Sequence, residues 1–380
     1  MKTIWSCCTG SRKTLFNLLV AGALFGVMIH AQGQTTFGAG SFQGILQSGS
    51  DNDESFGFIS IVLTRTGTFS MRFNLGVNNV GHHNYAITGR FTDSGSFHYE
   101  GPPVTDTRYA IAHVIDLQLD DIGNPMSIHG TVTDGTHSSS IEAERVGTFG
   151  LSNRAPQAGR YTFVIPNPGN TGIPAGTSWG VATVSLWGHI VASGRMADGR
   201  MFSQAASLTV KGRWPIFARV GAGFNGIISG WMNFQETSGS DFSGTLTWLG
   251  PEVPGPNSAF VPAFSADLNM IGSRYVAANP VLSVNNSSNN VALTLSGGGL
   301  DNTVVRNLTL TSGNRFYFSP RTTGDSLSLS PGPGIFVGTF LHPDNRIVVY
   351  RGVIYQKQNV GAGNFVTSDG QSGTVTLQPQ

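Results

Sequence analysis

A chain of 380 residues with 22 basic and 21 acidic side chains has almost no net charge, and it has no basic stripe that could neutralise a phosphate backbone, which excludes nucleic acid as a partner. Charged residues are 11% of the total, against about 25% in an ordinary globular protein, and 51 glycines are nearly twice the usual share. Disorder is excluded as well, because aromatics at 10% with plentiful Val, Ile and Leu supply enough apolar surface to offset the entropy of ordering.

The chain opens with Lys2, Arg12 and Lys13 and continues with the uncharged run LFNLLVAGALFGVMIHA, which ends in small and polar residues near Ala31. Residues 1–31 therefore read as a secretory signal peptide. An uncleaved anchor is the alternative, since about 17 apolar residues sit at the lower limit for spanning a bilayer. No basic flank follows, which favours cleavage. Losing three cations takes the balance to 19 basic against 21 acidic residues, a formal charge of −2. Cys7 and Cys8 precede the apolar run, so the mature chain is expected to hold together without disulfides, cysteine metal ligands or a lipid anchor, and with no membrane span.

Beyond Ala31 the recurring pattern is alternation. Phe69, Met71, Phe73 and Leu75 fall opposite Ser70, Arg72 and Asn74; Ile115, Leu117 and Leu119 fall opposite Asp116, Gln118 and Asp120. Val291, Leu293 and Leu295 repeat this opposite Ala292, Thr294 and Ser296. Such strands, with one wet face, belong in antiparallel sheets. Turn residues recur about every 8 to 12 positions, and Asp134-Gly135, Asp198-Gly199 and Asp369-Gly370 are hairpin dipeptides. No amphipathic helical pattern follows the leader, so parallel topologies lack their crossover helices.

A weak repeat divides the chain. Gly40 and Phe42 answer Gly159 and Tyr161, Gly57 answers Gly180, and Gly95 and Phe97 answer Gly212 and Trp214. The fold expected is all-β, with two or three antiparallel sandwich or barrel modules in tandem: 35–152, 158–250 after a polar joint at 152–158, and 257–380 after the proline-rich GPEVPGP. The last stretch is either a third module or the completion of the second.

The segments AGRYTFVIP, GRMADGRMFSQAASLTVKGRWPIF, GIISGWMNF, GSRY and the closing GTF…YRGVIYQKQNVGAGNF…SGTVTLQP carry a resemblance. From residue 158 to 379 the chain resembles secreted β-repeat proteins of verrucomicrobial-type environmental bacteria, and 37–148 fits the same style more loosely. The resemblance implies an exported, often surface-associated β-rich module and brings no catalytic residues. Trp187, in LWGH, stands at a turn where that style leads one to expect a small or polar residue.

Several motifs suggest chemistry and fail on context. GDSL contains Ser326, but the serine of the esterases it resembles follows a parallel strand, leads into a helix and lies near the start of the domain. Here Ser326, Ser328 and Ser330 alternate with Leu327 and Leu329, which reads as a strand with a leucine core face, stopped by Pro331; His342 and Asp344 lie in the turn sequence HPDN. GTSWG places Ser178 in a loop entering a strand rather than before a helix. DSGS, with Asp93, has no second copy to form a carboxylate dyad and reads as a hairpin turn.

Of eight mature histidines, six (His82, His83, His98, His113, His129 and His137) fall in the first unit, none at a spacing that suits one ion. Asp51, Asp53 and Glu54 are weak calcium candidates in a loop without the remaining ligand positions of a calcium site. No cofactor is expected.

All five mature tryptophans lie within one unit: Trp179, Trp187, Trp214, Trp231 and Trp248. Alternation turns Leu186 inward and Trp187 outward or onto a hairpin tip, so Trp187, with Trp179, is the candidate binding surface; Trp248 reads as core. The function expected is a non-enzymatic binding or structural module, secreted, periplasmic or at the cell surface, whose partner is a polysaccharide or another surface protein. A secreted hydrolase with a loop-borne site and an outer-membrane β-barrel are the alternatives.

Overall fold

The computed structural model describes residues 35–48, 56–75, 83–101, 105–106, 109–110, 114–133, 138–167, 169, 172–221, 226–250, 253–254, 260–261 and 263–380. The leader, both cysteines and the Asp134-Gly135 dipeptide lie outside these residues.

Three eight-stranded antiparallel sheets follow one another along the chain. The first contains β1 (Gly40–Ser48), β2 (Gly57–Leu63), β3 (Thr68–Leu75), β4 (His83–Arg90), β5 (Ser96–Glu100), β8 (Val114–Leu119), β9 (Ser127–Thr133) and β10 (Ser138–Arg145), with a small ribbon of β6 (Thr105–Asp106) and β7 (Tyr109–Ala110) between β5 and β8. The second contains β11 (Gly159–Ile165), β12 (Ser178–Val184), β13 (His189–Arg195), β14 (Met201–Ser207), β15 (Arg213–Arg219), β16 (Ile227–Asn233) and β17 (Phe242–Gly250). A ribbon of β18 (Val253–Pro254) and β19 (Phe260–Val261) precedes its last strand, β20 (Phe264–Arg274). The third runs through β21 (Val291–Gly297), β22 (Val304–Leu310), β23 (Phe316–Phe318), β24 (Ser326–Ser330), β25 (Ile335–Leu341), β26 (Ile347–Tyr355), β27 (Val360–Val366) and β28 (Ser372–Pro379).

Each sheet is a meander whose first strand pairs with its last: Phe42 with Arg145, Tyr161 with Arg274, and Val291 with Pro379. That pairing curls the sheet into a barrel. One seam remains, between β4 and β5, β14 and β15, and β23 and β24. At the second seam Pro215 brings no N–H to a ladder, as suits an edge strand. Gln204 spans the gap instead, donating from Nε2 to the Pro215 carbonyl at 2.8 Å and accepting from Trp214 Nε1 at 3.2 Å. At the first seam aromatic rings close the gap, with Phe69 edge-on to Phe97 at 4.9 Å.

The alternation read from the sequence is what fills the barrels. Phe69, Met71, Phe73, Ile115, Leu117, Leu119, Val291, Leu293 and Leu295 are all buried, while Arg72 and Asp116 face water. Trp214, Trp248, Phe163 and Phe242 fill the second barrel.

One turn recurs at 64–68, 92–96, 185–189, 196–200, 209–213, 311–315, 342–346 and 367–371. In each, the first residue's N–H donates to the fifth residue's carbonyl and the fourth residue's N–H donates to the first's. The fourth position is Gly or Asn at positive φ in every case, from Gly199 at 84° to Asn314 at 60°. This is the three-residue hairpin loop that closes on a left-handed residue. Asp198-Gly199 and Asp369-Gly370 are two of its copies.

The repeat is threefold, and one expected boundary moves. The joint at 152–158 does separate two sheets, but the segment after Gly250 is an insertion rather than a linker. β20 pairs with both β11 and β17, so the second barrel runs to Arg274 and the third begins at Val291 instead of 257. Gly95 and Gly212 do correspond, each ending the turn before a fifth strand. Gly57 and Gly180 do not: Leu63 lies opposite Gly40 as Val184 lies opposite Gly159, which sets Gly57 level with Ser178.

Barrels one and two meet through Ile45, Phe56, Phe217, Ile227, Trp231 and Leu249. Beside this cluster Glu144 of β10 is fully buried. It accepts from Thr209 Oγ1 at 2.8 Å and from Arg213 at 3.0 Å and 2.6 Å, with Lys211 at 3.1 Å. Arg213 also pairs with Glu142 and lies over the Trp231 ring at 4.2 Å. Burial raises the Glu144 pKa, but the hydrogen bonds from Arg213 and Thr209 and the Arg213 charge outweigh it, and the carboxyl titrates below its ordinary value. Barrels two and three meet through Val164, Trp179, Val353 and Tyr355. Thr162 Oγ1 donates to the Ile354 carbonyl at 2.7 Å there, and Asn364 Nδ2 donates to the Met196 carbonyl at 2.8 Å.

A carboxyl whose folded pKa is depressed contributes stability above its unfolded value, near 4.3 for glutamate, and loses it as pH falls through the folded value. Glu144→Gln is therefore expected to cost about 1–3 kcal/mol at pH 7. Urea unfolding at pH 7 and pH 3 checks this: the gap between wild type and variant narrows at the lower pH.

Candidate functional site

The hydroxyls of the motif serines bond to groups other than a histidine or carboxylate. Ser326 opens β24, where its Oγ lies 2.7 Å from Thr339 Oγ1 and its carbonyl accepts from the Tyr350 hydroxyl. The buried residue of the motif is the aspartate. Asp325 is 2% exposed, is held by Arg306 Nε at 2.9 Å, and ties down the turn through Thr322. Leu327 and Leu329 are half-buried against the third core, not within it, because β24 is the last strand at a seam. Ser178 is buried at the first position of β12, and its Oγ accepts the Ala197 N–H at 2.8 Å. Asp93 is a turn residue within 92–96.

The histidines are equally local. His98 Nδ1 lies 2.7 Å from Asp116 across the β5–β8 ladder, and that hydrogen bond raises its pKa although the ring is exposed. His129 Nε2 contacts Ser127 Oγ at 3.0 Å, and Ser127 donates to Asp120. The serine thus sits between acid and imidazole, which is the wrong order for a proton relay to a nucleophile. His342 sits 3.1 Å from Asp344 inside the turn 342–346. Among the described residues no group of three His, Cys, Asp or Glu could hold a metal. Asp51, Asp53, Glu54, His82, His113, His137 and the side chain of His83 lie outside the described residues.

The tryptophans divide sharply. Trp214, Trp248, Trp231 and Trp179 are buried, whereas Trp187 is 49% exposed. Trp179 is 7% exposed between barrels two and three, packed with Val353 and Tyr355, so it is not the surface platform the sequence suggested. Trp187 occupies the third position of the turn 185–189, where the equivalent turns carry Thr66 and Gly313. Leu186, expected to face inward, is 46% exposed, because alternation ends at the turn. The segment joining barrels one and two wraps this turn: Ala155 N–H donates to the Leu186 carbonyl at 3.0 Å, and a Cβ added at Gly188 would lie 2.6 Å from the Phe149 ring. Leu151, in that same joining segment, is 78% exposed.

No family model matches the chain, and no curated protein does. Among solved structures the chain overlaps transferrin binding protein B from serogroup B Neisseria meningitidis, isotype 1, with 8% identity, 90% of this chain and 75% of that chain covered, and a TM-score of 0.20. A tryptophan-to-alanine mutant of the same antigen from Haemophilus parasuis Hp5 gives 9% identity over the same shares, again at 0.20.

The two halves of the GDSL motif are expected to separate by mutation. Ser326→Ala should change stability by less than about 1.5 kcal/mol, and Asp325→Ala, which strands Arg306, should cost about 3 kcal/mol. Urea unfolding of both variants measures this. Hydrolysis of a short-chain ester that Ser326→Ala abolishes would overturn the structural role of the motif.

Proposed function

We propose that this protein is an exported, non-enzymatic binding module of secreted, periplasmic or cell-surface location, and that the turn carrying Trp187 is its point of contact. The observation that carries this reading is a half-exposed indole on a hairpin tip whose equivalents are Thr66 and Gly313. Exposing an indole forgoes the burial that the other four described tryptophans obtain, and indoles anchor contacts by combining a large apolar area with few rotatable bonds.

The setting favours a protein partner over a sugar. Leu186 and Leu151 are exposed beside the same joint, and neither gives a sugar's hydroxyl groups anything to bond. Stacking of a pyranose on the Trp187 face is the second reading, supported by the exposed position of the ring alone.

A water-facing protein also suits the outer surfaces of the barrels. On β3 and β8 the apolar residues point inward and Ser70, Arg72, Asp116 and Gln118 point outward, the reverse of a lipid-facing barrel band. No helix among the described residues is long and apolar enough to cross a membrane.

Retention on cell-envelope fractions of the producing bacterium tests the reading, with wild type and Trp187→Ala compared. Losing an anchor of this kind costs at least 2 kcal/mol, so retention is expected to fall about 30-fold. Prior protease treatment of the envelope removes the effect if the partner is protein, and glycosidase treatment removes it if the partner is a sugar. Equal retention of both proteins overturns the role of Trp187.

A further inference from the structure

The second and third barrels enclose a crevice of about 280 Å³ whose walls include Arg195, Arg346, Arg351, Ile347, Val349 and Val366. Three guanidinium groups in one crevice stand out in a chain with only 22 basic residues. Their placement follows from the packing of the barrels. Arg195 ends β13, just before the turn 196–200. Arg351 lies on the outer face of β26 with Ile347, Val349 and Val353, and Val353 is the residue buried under the second barrel. Asn364, the ladder partner of Arg351, is buried and donates to the Met196 carbonyl, next in the chain to Arg195. One buried hydrogen bond therefore holds the two arginines on opposite walls.

Arg346 is paired with Asp369 at 3.3 Å and with Ser368. Among the described residues neither Arg195 nor Arg351 makes an ion pair. The Arg195 side chain donates to the Gly199 carbonyl, and the Arg351 side chain makes no hydrogen bond to any described residue. The nearest acidic residue in sequence, Asp198, is directed to Arg200 at 3.6 Å. Burial, and then the charge of Arg351, lower the pKa of Arg195, against a smaller opposing pull from the Asp198 carboxylate. Arg195 and Arg351 line one partly desolvated crevice, and guanidinium groups are the donors that recognise a carboxylate or sulfate through both of its oxygens.

We propose that this crevice is an oxyanion-binding site, in which a carboxylate or sulfate group bridges Arg195 and Arg351 while Ile347, Val349 and Val366 cover the carbon skeleton attached to it. The volume sits at the small end of ligand pockets, enough for one acidic sugar or a comparable small organic acid. The same chemistry is offered by a free anion and by one acidic unit of a glycan chain.

Titration calorimetry of the mature chain with sodium sulfate, galacturonic acid and oligogalacturonate distinguishes these sources. Wild type is expected to bind saturably, and Arg195→Gln and Arg351→Gln to bind at least 10-fold more weakly, while Arg72→Gln on the outer face of the first barrel binds as wild type. Thermal unfolding supplies a second reading that does not need the right ligand. Without added anion Arg351→Gln melts higher than wild type, because the repulsion is gone. Sulfate at matched ionic strength stabilises wild type and leaves Arg351→Gln unchanged. A preference for galacturonic acid or sulfate over the oligomer identifies a free anion, and the reverse identifies a glycan. Absence of saturable binding, or binding equally weakened by Arg72→Gln, overturns the site.

Discussion

Each of the three barrels depends on the pairing of its first strand with its last. Without it, each set of eight strands is two four-stranded meanders with four open edges, and open edges invite association with other chains. Joining β1 to β10, β11 to β20 and β21 to β28 removes two of those edges and confines the remaining break to one seam per barrel. The seams are then closed by different means, by an aromatic cluster in the first barrel and by the Gln204 side chain in the second. Because the closing strand is the last in sequence, no barrel can bury its core until its whole stretch of chain is present.

The joints between barrels use the complementary strategy. Polar groups are buried at both, and several of them bond across the joint, although the indole N–H groups of Trp231 and Trp179 find no partner. Glu144 is surrounded by Thr209, Lys211 and Arg213 at the first joint, and Thr162 and Asn364 bond to backbone carbonyls at the second. Apolar contact alone would let neighbouring barrels slide over one another. A buried carboxylate that must meet its guanidinium fixes a single arrangement, and that arrangement in turn sets Trp187 beside the first joint and the two unpaired arginines beside the second.

How much of this was legible in the sequence follows from the distance over which each feature is specified. Inward alternation at Phe69 to Phe73 or Val291 to Leu295 is local, and so are the hairpin dipeptides Asp198-Gly199 and Asp369-Gly370; both read correctly. The third barrel was misplaced because its boundary depends on β20 inserting between β11 and β17, a pairing that no local pattern announces, while the proline-rich insertion imitates a linker. Leu186 was turned inward by carrying alternation two residues into a turn. Glu144 and Arg213 lie 69 residues apart, and Asn364 lies 168 residues from Met196, so neither joint leaves a motif to find. Asp325 was hidden by its neighbour: the serine of GDSL attracts attention, whereas the aspartate does the structural work. The exposure of Trp187 was legible because its departure from turn chemistry is itself local.

The closing pairs also fix how the molecule responds to a pull. In every barrel the beginning of the first strand lies next to the end of the last, so tension along the chain enters and leaves at the same end of one antiparallel ladder. Force then acts across its hydrogen bonds one rung at a time, as in a zipper, instead of shearing all of them together. A chain built this way yields in three separate steps at modest load, lengthening each time before the next barrel opens.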